Sequence, residues 1–192
     1  MRTSGPVRCR PRRPRCRTPR TGRDLSTLRG IVDAYIDGHR SDAAAELRFY
    51  GQSRSLREAI FLATEKGHPH QNLIKAPLLA RAGTRLLSIR LGKCRSFEEL
   101  HEAVRTTAGR IKGIGELAVY DVSQRIGAFL GVEPRLVFLH RGTRDGARVL
   151  GLGRGRATLE VSELPKEFRR LRVREIEDCL CIFKDDLAKL FE

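Results

Sequence analysis

The sequence predicts an all-α fold, a helical bundle that contains a glycine-rich hairpin between two helices and carries an Arg/Pro-rich arm at its N-terminus. Apolar residues recur at helical spacing in successive segments from residue 24 onward, and residues that can cap a helix precede several of these segments. Apolar residues make up 40% of the 192-residue chain, which is enough for a sizeable core. The pattern therefore predicts about eight helices.

Helix caps and breakers divide the first half of the chain. We predict helices at residues 24–38, 41–50, 55–66, 71–91 and 97–110. Asp24, Ser55 and Ser96 are the predicted N-caps, because their side chains can accept hydrogen bonds from the first free amides of a helix. Pro77 and Gly83 are expected to break the helix over 71–91.

The sequence pattern of the second half of the chain predicts three more helices and an irregular stretch between them. The helices are expected at residues 116–130, 143–150 and 173–191. A short apolar run, Leu136 to Leu139, comes before the second of these helices, and Gly151 to Arg156 forms a loop after it. Thr158 to Val161 has the composition of a short strand, although the sequence shows no obvious partner strand.

The charge of the chain favours a polyanionic partner, first of all nucleic acid. Lys and Arg number 38 against 23 Asp and Glu, a formal net charge of +15. Residues 1–23 contain nine arginines, four prolines and no acid, so residues 24–192 carry only +6. We expect residues 1–23 to be disordered and either to bind nucleic acid or to contribute nothing. No run of 18 apolar residues exists, so we expect no membrane span.

The cysteines and histidines predict neither a disulfide framework nor a cofactor. Five cysteines at irregular spacing and no secretory signal point to a reducing, cytoplasmic compartment. Cys179 and Cys181, with Cys94, are either zinc ligands or reduced thiols, and we favour buried thiols because Cys179 lies on an apolar helix stripe. His68 and His70 flank a proline, which is typical of a loop, and they lack a third metal ligand nearby.

The stretch from Ile111 to Val122 is the most informative part of the chain. Gly113 and Gly115 allow backbone geometry that a Cβ atom obstructs, and Ile114 between them can fill the core of the two-helix unit. The backbone amides of residues 113–117 then gather at a helix N-terminus, where they can bind one phosphate. Such contacts hold a nucleic-acid backbone without reading its sequence.

This stretch resembles the helix-hairpin-helix motif of DNA-binding proteins, and residues 96–150 distantly resemble the helix-hairpin-helix superfamily of base-excision DNA glycosylases. The resemblance implies a repair-like protein that contacts DNA phosphates. Arg141, Arg144 and Arg148 are spaced three and four apart, so a helix places them on one face, either as a phosphate-binding strip or as a solvated surface partly paired with Asp145. The predicted DNA-binding residues are Arg110, Lys112, Gly113, Ile114, Gly115, Glu116, Leu117, Arg141, Arg144 and Arg148.

The departures from the glycosylase pattern predict that the catalytic chemistry is absent. Leu117 stands where the lyases of the superfamily have a lysine, and Arg141 lies near the position of their catalytic Asp. A carboxylate is needed there to stabilise cationic charge, and an arginine does the reverse. We therefore expect a non-enzymatic DNA-binding protein. Two alternatives stay open: a divergent glycosylase whose acid is Asp121 or Asp145, and a helical protein-interaction module with a purely structural hairpin.

Overall fold

The structure, a computed structural model, describes residues 24–65 and 74–191 of the chain. The fold is all-α, as predicted, and the described residues form nine α-helices and one small sheet. The helices are α1 (Leu28–Gly38), α2 (Arg40–Gly51), α3 (Leu56–Thr64), α4 (Ala76–Leu87), α5 (Phe97–Thr107), α6 (Glu116–Leu130), α7 (Arg141–Val149), α8 (Val173–Ile182) and α9 (Lys184–Lys189). The predictions for residues 1–23 and for His68 and His70 lie outside the described residues. None of the described helices is long and apolar enough to cross a membrane.

Two of the three predicted N-caps are confirmed. The Ser55 hydroxyl accepts a hydrogen bond from the Glu58 amide at 3.2 Å, and Ser96 caps α5 in the same way. The prediction for Asp24 is wrong, because α1 begins later and Thr27 caps it by accepting from the Gly30 amide at 3.0 Å. The Asp24 carboxylate instead accepts from the amide of Ser26.

The predicted break in the fourth helix does not occur. Pro77 lies in the first turn of α4, where a missing backbone N–H leaves no intrahelical hydrogen bond unmade. Gly83 lies inside the helix, and a Cβ there would stand 2.5 Å from the Thr64 hydroxyl oxygen. The glycine therefore allows α3 and α4 to pack closely without ending the helix.

The C-terminal helix predicted over 173–191 is two helices, α8 and α9, which meet at Phe183. This residue leaves helical geometry, with φ −98° and ψ 16°, and its carbonyl accepts a hydrogen bond from the Leu187 amide. Phe183 is buried and its ring packs edge-on against His39, so burial of the aromatic ring accompanies the change of direction.

The strand that lacked a partner in the sequence pairs with the apolar run that precedes α7. Strand β1 (Val137–Phe138) lies antiparallel to β2 (Thr158–Leu159), with Val137 opposite Leu159. The Leu139 amide adds a hydrogen bond to the Ala157 carbonyl at 2.8 Å. Helix α7 begins immediately beyond this pair, two residues earlier than predicted.

Two apolar cores flank a polar seam. One core is built from α1, α7, α8, α9 and the sheet, and the other from α3 to α6 with the turns around them. Between them lie polar side chains of α1, α6, α7 and α8, several of them buried, and we call this set the polar seam. Its residues are Tyr35, Asp121, Arg125, His140, Thr143, Glu177 and Asp178.

Candidate nucleic-acid interface

The turn between α5 and α6 requires a glycine at position 113 but not at position 115. The prediction that a Cβ obstructs the backbone at Gly115 is wrong, because Gly115 has φ −90° and a Cβ there would meet nothing within 4 Å. Gly113 has a positive φ of +100°, which L-residues with a side chain rarely adopt. Ile114 is 8% exposed and belongs to the second core, and its amide bonds to the Ile111 carbonyl at 2.9 Å. The buried isoleucine thus fixes the turn from below, while Gly113 and Gly115 remain on the surface.

The N-terminus of α6 is exposed and carries no side-chain cap. Gly115 is its N-cap residue, in extended conformation, and among the residues that the structure describes no side-chain hydrogen bond caps the helix. These amides have no intrahelical partner, and they stand at the positive end of the helix dipole. Arg110 and Lys112 are exposed on the preceding turn. This surface therefore combines free donors and positive charge, which is what one phosphate requires.

The arginines of α7 are not equivalent. Arg141 and Arg148 are exposed, whereas Arg144 is partly buried and lies 3.3 Å from the Glu116 carboxylate. Arg144 also donates to the Leu139 carbonyl at 2.5 Å. Arg144 therefore attaches α7 to the first residue of α6 and brings the two predicted binding segments together, while its own charge is partly neutralised.

A cavity of about 450 Å³ opens beside this turn. Aromatic and imidazole rings form much of its wall, and charged side chains of α5, α6 and α7 complete it. The lining includes His101, Tyr120, Phe138, His140, Glu116 and Arg144. The rings of His101 and Phe138 are in close contact, with centroids 4.3 Å apart.

His140 is the N-cap residue of α7 and is joined to α8 by a buried hydrogen bond. Its Nε2 bonds to the Glu177 carboxylate, which also accepts from the Thr143 hydroxyl at 2.8 Å. Burial alone would lower the pKa of His140, but the hydrogen bond and the charge of Glu177 outweigh burial and raise it. His140 Nδ1 is buried and has no hydrogen-bond partner among the residues that the structure describes.

The second histidine of the cavity is shifted in the opposite direction. Burial lowers the pKa of His101 below its ordinary value, and the nearby carboxylates, Glu102 first, only partly oppose this effect. The ring of Tyr120 stands between the two histidines, with its centroid 6.4 Å from that of His101 and 6.1 Å from that of His140. The cavity thus holds one imidazole that favours the neutral form and one that favours the charged form.

Known proteins offer no match to this chain. No protein-family model, no curated protein and no solved structure matches it. The function of the protein is therefore inferred from the geometry of its site.

The two predicted acids do not line the cavity. Asp145 lies on the outer side of α7, where its carboxylate is 44% exposed and 3.5 Å from Arg148. Asp121 belongs to the polar seam, where its charge acts on His140 and Asp178. Arg141 was expected near the catalytic position, but it is exposed and does not line the cavity. His140, which directly follows the apolar run, lines the cavity instead.

The three cysteines that the structure describes do not come together in one site. Cys94 packs against one core and Cys179 lies in the other, where burial raises the pKa of its thiol. Cys179 is a fully buried, reduced thiol, as its place on the apolar stripe predicted. Within the described residues, no three His, Cys, Asp or Glu side chains are arranged to hold a metal ion.

Sequence reasoning predicted the part of the cavity lining that belongs to the turn and to Arg144, but it missed the rings of the wall. His101, Tyr120 and Phe138 come from three separate elements, and Glu177 is 37 residues from the histidine that it holds. One signal was present in the sequence, since His140 directly follows the apolar run and precedes a helix. The partner carboxylate has no comparable signal.

Proposed function

We propose that the protein binds duplex DNA without sequence specificity, by holding a backbone phosphate at the turn between α5 and α6. The observation that carries the proposal is the exposed, uncapped N-terminus of α6 at Gly115, with a buried Ile114 beneath it and Lys112 beside it. This arrangement matches what the helix-hairpin-helix resemblance implies. A reducing, cytoplasmic, repair-like setting is part of the same proposal.

Phosphate is the ligand that best fits these donors. Amides at a helix N-terminus and two nearby cations favour an anion with several oxygens, and they read no base edge. The Glu116 carboxylate would oppose an anion, but its contact with Arg144 neutralises part of its charge. Arg141 and Arg148 are exposed on α7 and extend the positive surface beyond the turn.

The test is DNA binding by a variant that fills the turn without straining it. Gly115 has φ −90°, and a Cβ there would meet nothing within 4 Å, so Gly115→Val is expected to fold normally while shielding the amides. In the full chain, we expect Gly115→Val to weaken duplex binding at least about tenfold, because charge-assisted hydrogen bonds are lost. Lys166→Ala, exposed in the 3₁₀-helix Lys166–Arg170, is the control and should change binding less than about twofold.

Fluorescence anisotropy with a labelled duplex, titrated from low to moderate salt, measures both effects. Binding should weaken as salt rises, since phosphate contacts release counterions. Equal losses for the two variants, with both proteins folded by circular dichroism, would leave the turn without a special role. An affinity independent of salt would rule out phosphate contacts altogether.

The cavity supports a second candidate, a base-processing enzyme that acts on the bound DNA. The observation in its favour is the pair of histidines, His101 and His140, whose pKa values are shifted in opposite directions within one cavity. The lowered pKa of His101 suits it to accept a proton from a group in the cavity. Both ring nitrogens of His140 are buried, Nε2 against Glu177, so His140 holds the cavity wall and adds positive charge to it. In this candidate the chemistry depends on these histidines rather than on Asp121 or Asp145.

Base release distinguishes this candidate from simple binding. Duplexes that carry uracil, alkylated or oxidised bases are incubated with the full chain, and alkaline cleavage reveals abasic sites. Release that His101→Asn or His140→Asn abolishes, and that Asp145→Asn leaves intact, would support the enzyme. Absence of release from all these substrates, or release that both histidine variants retain, would rule out this role for the histidines.

A further inference from the structure

Arginines from three separate elements converge on a second surface, a groove of about 660 Å³. It lies between α2, the 3₁₀-helix Lys166–Arg170 and the start of α8. One carboxylate and six guanidinium groups line it, and we call it the arginine groove. The six arginines are Arg40, Arg48, Arg169, Arg170, Arg172 and Arg174.

The carboxylate in the lining does little to cancel this charge at the surface. Glu175 is buried, and Arg40 holds it at 2.9 Å while it also accepts from the Arg172 amide. It therefore forms part of the floor, where it fixes Arg40 in place.

Outside the floor, the remaining acids leave an excess of cations. Glu133 lies 2.9 Å from Arg174, and Asp33 lies 2.5 Å from Arg170. Within the described parts of the chain, no carboxylate is within ion-pair distance of Arg48 or Arg169. Six guanidinium groups thus face three carboxylates, and Arg48 and Arg169 are both exposed.

The spacing of the charges indicates an extended ligand. Arg40 and Arg48 are eight residues apart on α2, about 12 Å along the helix axis, and the small Ala44 lies in the groove between them. Cations spread over this distance suit a ligand with regularly spaced charges, and one nucleic-acid strand carries a charge about every 3.4 Å. Arginine also suits phosphate, because its planar fork donates two parallel hydrogen bonds to one group.

The lining of the groove favours contact with a nucleic-acid backbone. Among the residues that the structure describes, no aromatic side chain lines it, so it lacks the aromatic surface on which single-stranded bases stack. Most hydrogen bonds from proteins to DNA go to phosphate and sugar, and such contacts are independent of base sequence.

We propose that the arginine groove is a second nucleic-acid contact, which binds backbone phosphates far from the turn at Gly115. An adjoining cavity shares Arg48, Arg172 and Arg174 with the groove and is lined by the C-terminal end of α6. Because α6 has 15 residues, about 22 Å of helix separate that end from the turn. None of the six arginines lies in the turn, so the groove and the turn can be tested separately.

The experiment compares two double variants of the full chain with the same change of charge. Arg48→Ala with Arg169→Ala removes the two unpaired cations of the groove. Arg57→Ala with Arg90→Ala is the control, since both residues are exposed and line neither the groove nor the cavity beside the turn. Residues 1–23 are present in every protein, so their contribution is common to all measurements.

Anisotropy with a 20-bp duplex over a range of salt gives the affinity and the number of phosphates contacted. We expect the groove variant to bind at least about tenfold more weakly, with a salt slope smaller by about 2, because two phosphate contacts are lost. The control should stay within about twofold of the unmodified chain. Circular dichroism confirms that all the proteins are folded.

The outcomes separate this proposal from the one for the turn. A groove variant that binds like the control overturns the groove contact, even if Gly115→Val abolishes binding. A groove variant that loses binding while Gly115→Val retains it supports the groove and overturns the contact at the turn. A polyglutamate peptide that competes as strongly as unlabelled duplex would overturn the assignment to phosphates.

Discussion

An acid and a base meet on each of the two faces of α7, but one pair is buried and the other is exposed to solvent. On the inner face, His140 and Thr143 meet Glu177 in the protein interior, and Gly146 packs against the backbone of α8. On the outer face, Arg148 and Asp145 are 63% and 44% exposed and stand 3.5 Å apart. Helix α7 is only nine residues long, so one short helix presents both a buried face that packs against α8 and an exposed, charged face.

This difference shows that helical spacing identifies faces but not their roles. The arginine spacing correctly predicts a shared face on α7, yet one of its members, Arg144, is used to join α7 to α6. Solvent screens the outer pair, whereas the inner contact gains strength because water is excluded. Substitutions on the inner face should therefore change stability, and those on the outer face should change binding.

The largest effect is expected from Glu177→Ala. This change removes the shared acceptor of His140 and Thr143 and leaves both polar groups buried without it, and burial then favours loss of the proton from His140. We expect the free energy of unfolding at pH 6 to fall by about 3 kcal/mol or more, as for other broken buried pairs. Urea denaturation measures it, with Asp145→Ala on the outer face as the control at less than about 1 kcal/mol. Similar losses for both variants would contradict the contrast.

Gly146→Ala should have the next largest effect. A Cβ at Gly146 would overlap the Leu180 carbonyl, which is backbone and cannot rotate away. We expect α7 and α8 to separate slightly and the free energy of unfolding to fall by about 1–3 kcal/mol. Thermal and urea unfolding measure the change. A stability equal to that of the unmodified chain would mean that the two helices do not pack this closely in solution.

The pH dependence of stability should report on His140. Because Glu177 raises the pKa of His140 in the folded protein, the stabilisation is complete below the ordinary value of 6.5. It is lost as the pH rises from there through the raised value. We expect this loss to be smaller than the effect of Gly146→Ala and to be absent in His140→Asn. Denaturant unfolding at a series of pH values tests it, and a parallel profile in the variant would assign the dependence to another group.

The smallest effect on stability is expected from Arg148→Ala on the outer face. Its contact with Asp145 is long and exposed, so the free energy of unfolding should change by less than about 0.5 kcal/mol. Under the proposed function, the same variant should reduce the salt slope of duplex binding by about 1. Urea unfolding and anisotropy measure the two quantities. A large loss of stability would contradict this prediction and would mean that Arg148, like Arg144, holds α7 in place.

Local patterns predicted most of the fold. The serine caps at Ser55 and Ser96 and the glycine turn at 113–115 depend on residues adjacent in sequence, and they are found where expected. The errors arose where tertiary packing decided the outcome. Gly83 lies within α4, where its missing side chain leaves space for the side chain of Thr64 on α3. The strand at Thr158 forms because β1 pairs with it.

The site was predicted only where it is local. The turn and the arginine face of α7 follow from spacing, but their contact through Arg144 and Glu116 was not predicted. The bond between His140 and Glu177 spans 37 residues, and the bond from Arg40 to Glu175 spans 135. Nothing in the sequence near either member indicates the other, so only the fold reveals the cavity and the arginine groove.

The short β1–β2 pair closes the chain into a loop that contains α7. Its strands join Phe138 to Thr158, and the segment between them includes Gly151 and Gly155, where a Cβ would meet nothing within 4 Å. The entropy of closing such a loop grows slowly, by about 0.6 kcal/mol for each doubling of its length. The exposed turn at Arg154 and Gly155 is therefore a permissive insertion point, where a peptide tag or a fluorescent reporter can be added without opening the sheet.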